Sequence, residues 1–345
     1  MGAAFKYIDI HSLQKILGNY YPDNLFSFAK HLDAWLVGIN DHTDVSSNEE
    51  KAIPDRLLAH NLNKKNRPSF SLLNLDVNVV HTVELGVQRA TTAIQLRFKD
   101  APDRRRKEDQ RVVLHILIKY PESTQWLISI PMQAIMKGWG DVESGYMGYS
   151  HSICFLDENG IPLSGESENG IPLHQHFYYG VTNRNWLKRM GEHLSEVRSG
   201  SNKSFHKAWR EYQGRADVGL SSELVVLNLS YKEVMDWEEL MVDECMAAGN
   251  SLNMIPGGFK GLKFLHEHRI TDRLGISLEE RERAINDFSK SHPRLGVPNL
   301  IVADLWKDEE YATRIICGAP GRLSVHQIRE IRRLNKIGVP IERIA

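Results

Sequence analysis

Tyr178, Arg189 and His193 are spaced so that three kinds of side chain could act on one phosphate. Phe177-Tyr178-Tyr179-Gly180-Val181-Thr182 reads as a strand, aromatic and β-branched throughout except for its glycine. Asn185–Leu194 reads as a helix, because Trp186, Leu187, Met190 and Leu194 fall at i, i+1, i+4 and i+8 and form one apolar stripe. Arg189 and His193 are four apart and so share a helix face one turn apart. A strand tyrosine facing such a pair makes a compact phosphate site. Its phenol can accept a proton from, or hydrogen-bond to, an attacking water. The planar guanidinium can hold the phosphate bidentately and stabilise the charge that builds there.

A carboxylate for a cation comes from Val234–Ala248, helical by pattern, with Trp237, Met241, Cys245 and Ala248 on one side. Glu238 lies beside that stripe, where it could bind one divalent cation through oxygen. One carboxylate is a sparse ligand set, so the ion would keep several waters and be completed by phosphate. That suits Mg2+ or Mn2+ acting as a Lewis acid on the leaving oxygen. Glu239 is the second choice for this role. Plainer readings stand beside each of these. Tyr178 could be an ordinary strand aromatic, Arg189 and His193 a solvated helix face, and Glu238 one of several carboxylates with Asp236, Asp243 and Glu244.

Taken in order, these elements resemble the GIY-YIG nuclease family. Tyr178-Tyr179-Gly180 is similar to the family's YIG element, Thr182 follows, and the Arg189…His193 helix stands at nearly the family's spacing, with one extra residue. Lys203-Ser204-Phe205-His206-Lys207-Ala208-Trp209 resembles the segment in which a small residue precedes the next helix. Glu238, with Met241 and Val242 after it, resembles the metal-binding glutamate, and Leu252-Asn253 with Gly257-Gly258 resembles the closing element. The resemblance covers residues 151–258, about a third of the chain.

It departs at the first strand. His151-Ser152-Ile153-Cys154-Phe155-Leu156 has no tyrosine where the family carries Gly-Ile-Tyr; Tyr146 and Tyr149 stand just upstream and would need a hairpin of another register. The resemblance implies a small α/β nuclease domain, a short sheet flanked by helices, that hydrolyses phosphodiesters by metal-assisted attack of water. Tyr178 would activate or position the water, Arg189 hold the phosphate, His193 assist and Glu238 bind Mg2+ or Mn2+. Asn253 would position a phosphate or the glutamate. The missing first-strand tyrosine keeps open a non-catalytic DNA-binding or regulatory module on the same scaffold.

The elements that must position these residues belong to a chain of 345 residues, 41% hydrophobic and 25% charged, the balance of a soluble globular protein with two or three domains. The expected class is α+β and multidomain. Residues 1–145 read as an α+β domain without a chemical motif, 146–258 as the nuclease-like domain, and 259–345 as mostly helical. Strand-like runs are Ser69–Val80, Thr91–Phe98, Arg111–Lys119 and Trp126–Ile130, with a short helix after Pro131. The cluster Arg104-Arg105-Arg106-Lys107 reads as a solvated hairpin tip. Glu158-Asn159-Gly160-Ile161-Pro162-Leu163 recurs from Glu168 to Leu173, a lengthened hairpin connection between Ile153–Leu156 and His176–Thr182. Leu278–Lys290 is the clearest helix of the last third.

The net charge of −1 excludes a generic polyanion binder, so any nucleic-acid surface must be local. Between Val181 and Arg215 eight Lys and Arg face three Glu, interleaved with Trp186, Trp209 and Tyr212. Arg184, Lys188, Lys203, Lys207 and Arg210 are the expected nucleic-acid contacts there. Near the end, Ser324 reads as an N-cap, Ile328, Ile331 and Leu334 as a helix stripe, and Gly338 as its close. Residues 322–345 thus resemble the opening of a helix-turn-helix of the kind attached to recombinases and mobile-element nucleases, which favours DNA over RNA. Cys154, Cys245 and Cys317 lack CxxC pairing and suggest neither disulfides nor zinc. The chain shows no secretory signal and no run near the roughly 18 apolar residues of a membrane span. A cytoplasmic protein without membrane partners is the expectation.

Overall fold

Branched and aromatic runs pair into one mixed sheet that crosses most of the chain. The computed structural model describes residues 5–39, 53–62, 75–84, 95–100, 112–119, 124–156, 163, 175–291, 323 and 325–340. Among them the strands are β1 (Leu75–Glu84), β2 (Gln95–Asp100), β3 (Val112–Lys119), β4 (Gln125–Pro131), β5 (Tyr146–Phe155), β6 (Gln175–Thr182) and β7 (Val218–Leu229). Their spatial order is β2-β1-β3-β4-β7-β5-β6. The pairs β1–β3 and β4–β7 are parallel and the others antiparallel. The helices are α1 (Ile10–Leu17), α2 (Leu25–Ile39), α3 (Ile53–Leu62), α4 (Trp186–Arg198), α5 (Ser204–Tyr212), α6 (Tyr231–Ala248), α7 (Gly258–Glu267), α8 (Leu278–Ser291) and α9 (Val325–Lys336). The class is α+β. No described helix is long and apolar enough to cross a membrane.

The expected boundary at 145/146 falls between strands of this single sheet. β4, before it, pairs with β7, after it. The largest core cluster likewise joins Leu13, Ile16, Leu32, Leu114, Ile116 and Ile130 to Tyr149, Trp186, Leu187, Leu224 and Leu227. A second cluster packs α4 and α5 on the sheet through Ile153, Met190, Val197, Phe205, Trp209 and Leu220. Successive residues of a strand point to opposite faces. Tyr178 accordingly packs with Phe205, and Tyr179 with Val242 and Cys245 of α6. Val234, Met235, Leu262 and Leu265 close the third cluster between α6 and α7.

One strand departs usefully from its expectation. The run expected at Ile153–Leu156 is the end of β5, which begins at Tyr146. Its middle is buried on both faces and built from Gly148, Ser150, His151 and Ser152, so it lacks the apolar alternation that marks a half-buried strand. At the other end of the chain, α9 buries Ile328, and Gly338 follows it at φ 81°. Ser324 and residues 341–345, hence any second helix of a helix-turn-helix, lie outside the described residues, as do Arg104–Lys107 and all but Leu163 of the 158–173 repeat.

Candidate active site

The β5–β6 hairpin sets the geometry. Tyr149 lies opposite Gly180 and His151 opposite Tyr178, so both phenols and the imidazole share one face. Gly180 is a glycine for a local reason: a Cβ there would stand 2.6 Å from Cζ and Oη of Tyr149. The Tyr149 and Tyr178 rings are 6.5 Å apart between centroids. A phenol thus stands two residues before His151 on the face that carries Tyr178. Irregular pairing with β7 between Tyr146 and Tyr149 re-aims this part of β5.

Helix α4 brings the cation and a second imidazole. Its N-cap Asn185 accepts from the N–H groups of Leu187 and Lys188, while its Nδ2 donates to the carbonyls of Lys15 and Ile16, which ties α4 to α1. The solvated-face reading of Arg189 and His193 is overturned: they are 7% and 1% exposed. Trp186, Leu187 and Met190 turn that face inward, so the pair is buried between α4 and the sheet. Arg189 Nη1 pairs with Glu192 at 2.8 Å and Nη2 with Glu282 at 2.5 Å. His193 Nδ1 lies 2.9 Å from His206 Nε2, and His206 Nδ1 lies 2.8 Å from Ser201 Oγ. His151 Nδ1 meets Ser222 Oγ at 3.0 Å. The Nε2 atoms of His151 and His193 are buried without a hydrogen-bond partner.

Glu238 arrives from α6 and is 3% exposed. It is no member of an exposed acidic face. Its carboxylate takes two hydrogen bonds from Arg281 of α8, at 2.7 and 3.0 Å, and one from the N–H of Gly258 at 2.9 Å. The Gly257-Gly258 pair allows this approach, since a Cβ on Gly257 would stand 2.3 Å from the Glu238 carbonyl oxygen and one on Gly258 2.1 Å from that of Met235. Gly257→Ala is expected to pry α7 from α6 and destabilise the protein by about 1–3 kcal/mol, read as a lower urea midpoint at unchanged slope. Glu239, the second choice, accepts from the N–H of Lys260 at 3.1 Å.

Asn253 is placed otherwise than expected. Its Oδ1 accepts from the Tyr179 N–H at 2.9 Å and its Nδ2 donates to the Tyr179 carbonyl at 2.7 Å. Both ends of the carboxamide thus seat β6, the edge strand that carries Tyr178. Of the five expected nucleic-acid contacts, Arg184, Lys188 and Lys207 are exposed. Arg184 is held bidentately by Glu192. Lys203 is buried against Glu196 and Glu282, and Arg210 donates to the carbonyls of Val197 and Ser201.

Sequence reasoning missed Arg281 and Glu282 altogether. They lie in the charge-rich run Leu278–Lys290, read only as the clearest helix of the last third. The signal was Leu278, Ile285 and Phe288, whose spacing puts Arg281 and Glu282 on the same inward stripe. A cleft of about 220 Å3 lies between Tyr149, Tyr178, Gly180, Arg189, Arg281 and Glu282.

The electrostatics follow from burial. Desolvation raises the phenols of Tyr149 and Tyr178 above the ordinary tyrosine range. It lowers His151 and His206 to about 3, helped by Arg189 and Lys203 respectively, and His193 falls well below its ordinary value for the same reason. Burial alone would raise Glu282, but Arg189 and Lys203 overcome it and hold the carboxyl at about 2. In this arrangement the donor set does not fit a resident divalent cation. Glu238 is occupied by Arg281, and among the described residues no group of three or more His, Cys, Asp or Glu converges to hold a metal. The chain matches no family model, no curated protein and no solved structure.

Proposed function

We propose that the chain is an endonuclease that hydrolyses phosphodiester bonds in nucleic acid, DNA in the first place, on a plan like that of the GIY-YIG nucleases. The observation that carries this reading is the convergence of two phenols and a buried guanidinium on one cleft, with the His193 ring 5.1 Å from that of Tyr178 and its Nε2 unpartnered. Arg189 is the phosphate ligand, its planar fork suited to two non-bridging oxygens. Tyr149 and Tyr178 keep their protons at neutral pH, so they orient water or phosphate as hydrogen-bond donors and do not act as bases. His193 stays neutral. In the tautomer that donates through His206 toward Ser201, its Nε2 is an acceptor able to take the proton of the attacking water. The scissile P–O bond then breaks in line with the new one, and the leaving oxygen takes a proton from solvent.

Mg2+ or Mn2+ remains part of the proposal with Glu238 as its ligand, but only once Arg281 has left that carboxylate, and no step is derived through it. A neighbouring cleft of about 630 Å3, lined by Tyr146, Tyr231 and Phe259, offers aromatic surfaces on which bases beside the scissile phosphate can stack.

The test is cleavage of supercoiled plasmid with Mg2+ or Mn2+ by the wild-type chain, Arg189→Ala and Glu238→Ala under single-turnover conditions. Cleavage that needs the cation and falls at least a hundredfold in both variants is the expected result. A second reading, a binding-only module, is favoured by the pairing of Glu238 with Arg281. Plasmid left intact by both wild type and Arg281→Gln, with DNA binding retained, would establish that reading.

A further inference from the structure

The larger cleft beside the candidate site is walled by aromatic rings. Tyr146 and Tyr231 stand 5.5 Å apart between centroids and Tyr231 and Phe259 6.0 Å apart, around a volume of about 630 Å3. That volume falls in the range of about 300–1,000 Å3 typical of small-molecule sites. Phe259 and Leu274 line it while 38% and 51% exposed, so two large apolar side chains face water in one place.

Polar groups on the same lining indicate what enters. Asn183 and Glu279 belong to both this cleft and the smaller one that holds Tyr178 and Arg189. Both are exposed, and neither side chain has a hydrogen bond or ion pair among the described residues. A free carboxylate there repels phosphate and leaves the larger cleft to an uncharged ring. It can accept from an amino group on the edge of such a ring.

The smaller cleft carries the opposite charge. Of its guanidiniums, Arg184, Arg189 and Arg281 are each paired with a carboxylate. Arg189 and Lys203 share Glu196 and Glu282, and Arg189 keeps Glu192 as well. Arg283 lines the same cleft, is exposed, and has no ion-pair partner among the described residues. An entering phosphate therefore meets unopposed charge at Arg283.

We propose that the larger cleft is a nucleobase site: one unpaired base stacks on Tyr231 and Phe259, Glu279 accepts from its amino group, and Arg283 holds the adjoining phosphate. This rests on the hydrolase reading and names its substrate class. A base in a duplex is already paired and stacked, and turning it out is costly. Single-stranded nucleic acid is thus the preferred substrate, with adenine, cytosine or guanine in the cleft ahead of thymine or uracil, which lack the amino group.

Anisotropy of labelled DNA bound to the full chain in EDTA tests this. A single strand should bind at least tenfold more tightly than the same strand annealed to its complement. Phe259→Ala should weaken single-strand binding at least fivefold, the loss of one stacking surface. Gly275→Trp fills the cleft from a position where a Cβ meets nothing within 4 Å, and should cost at least as much. Arg283→Ala should flatten the fall of log affinity with log salt by about 0.7. A strand of cytosines should bind at least fivefold more tightly than one of thymines, and Glu279→Ala should erase the difference. Equal affinity for strand and duplex, unchanged affinity in folded Gly275→Trp, or failure of every DNA to bind would overturn the proposal. The two readings fail separately. Strand binding that depends on Phe259 and Glu279, with no DNA cut when Mg2+ or Mn2+ is added, would keep the base site and sink hydrolysis. Cutting of duplex and single strand at equal rates, unaffected by Gly275→Trp, would do the reverse.

Discussion

Unfolding at pH 5.5 should take up close to three protons, and stability should fall by about 4 kcal/mol for each further pH unit of acidification. The source is the set His151, His193 and His206, which share one buried cluster with Tyr178 and Phe205. Desolvation lowers all three, His151 and His206 to about 3. In the unfolded chain each would titrate near 6.5. Below that pH the unfolded state binds protons the folded state refuses, so stability declines as pH falls through 6.5 and goes on declining toward 3. Glu282 adds in the same sense at lower pH, because its folded value of about 2 lies below that of a free carboxyl. For a protein of about 5–10 kcal/mol, the acid midpoint falls between about pH 4 and 5.5. Urea titrations at several pH values, followed by circular dichroism, give the slope. His151→Asn should remove about one of the protons. A stability that stays level from pH 6.5 to 5 would mean that the imidazoles are charged or solvated in the folded protein.

The same cluster shows how far the sequence could be read. Tyr178, Arg189 and His193 were visible because a strand pattern and an apolar helix stripe bracket them, and those local periodicities survive folding. Their burial was not visible. Trp186 and Leu187 drive α4 into the core shared with α1 and α2, and no local window reports that a distant helix covers the charged face. Tyr149 was placed upstream of the strand because the middle of β5, buried on both faces and rich in Ser, Gly and His, has the composition of a loop. Glu238 is buried apart from its acidic neighbours, and its partner stands forty-three positions later in the chain. Pairing between charged residues that far apart leaves no periodic trace. Arg281 and Glu282 look like any two charges on an exposed helix, and only Leu278, Ile285 and Phe288 hint at their side. The continuous sheet was hidden for a related reason: β4 and β7 are joined by a parallel pairing across nearly ninety residues, which neither strand announces.

Replacing His193 by Gln should lower single-turnover cleavage by about 10^2–10^4, the range of a lost general base, while Tyr178→Phe should cost about tenfold, one hydrogen bond to the reacting groups. The difference follows from protonation states. Burial keeps both tyrosines protonated through the neutral range, so neither is available as a phenolate. Burial and Arg189 push the His193 imidazole well below its ordinary value, so its Nε2 remains an acceptor where a solvent-exposed histidine would charge. On the proposed chemistry the acceptor therefore keeps its active form through the range in which an ordinary histidine charges. Cleavage should be level from pH 8 down to 6, without the falling limb near 6.5 that an ordinary histidine base gives. A rate that instead climbs tenfold per pH unit, and loses that climb in Tyr178→Phe, would make the phenol the base and reduce His193 to packing. Gln at 193 can still donate toward His206, which separates loss of the acceptor from collapse of the cluster. The variant should accordingly keep the wild-type urea midpoint to within about 2 kcal/mol while losing the chemistry.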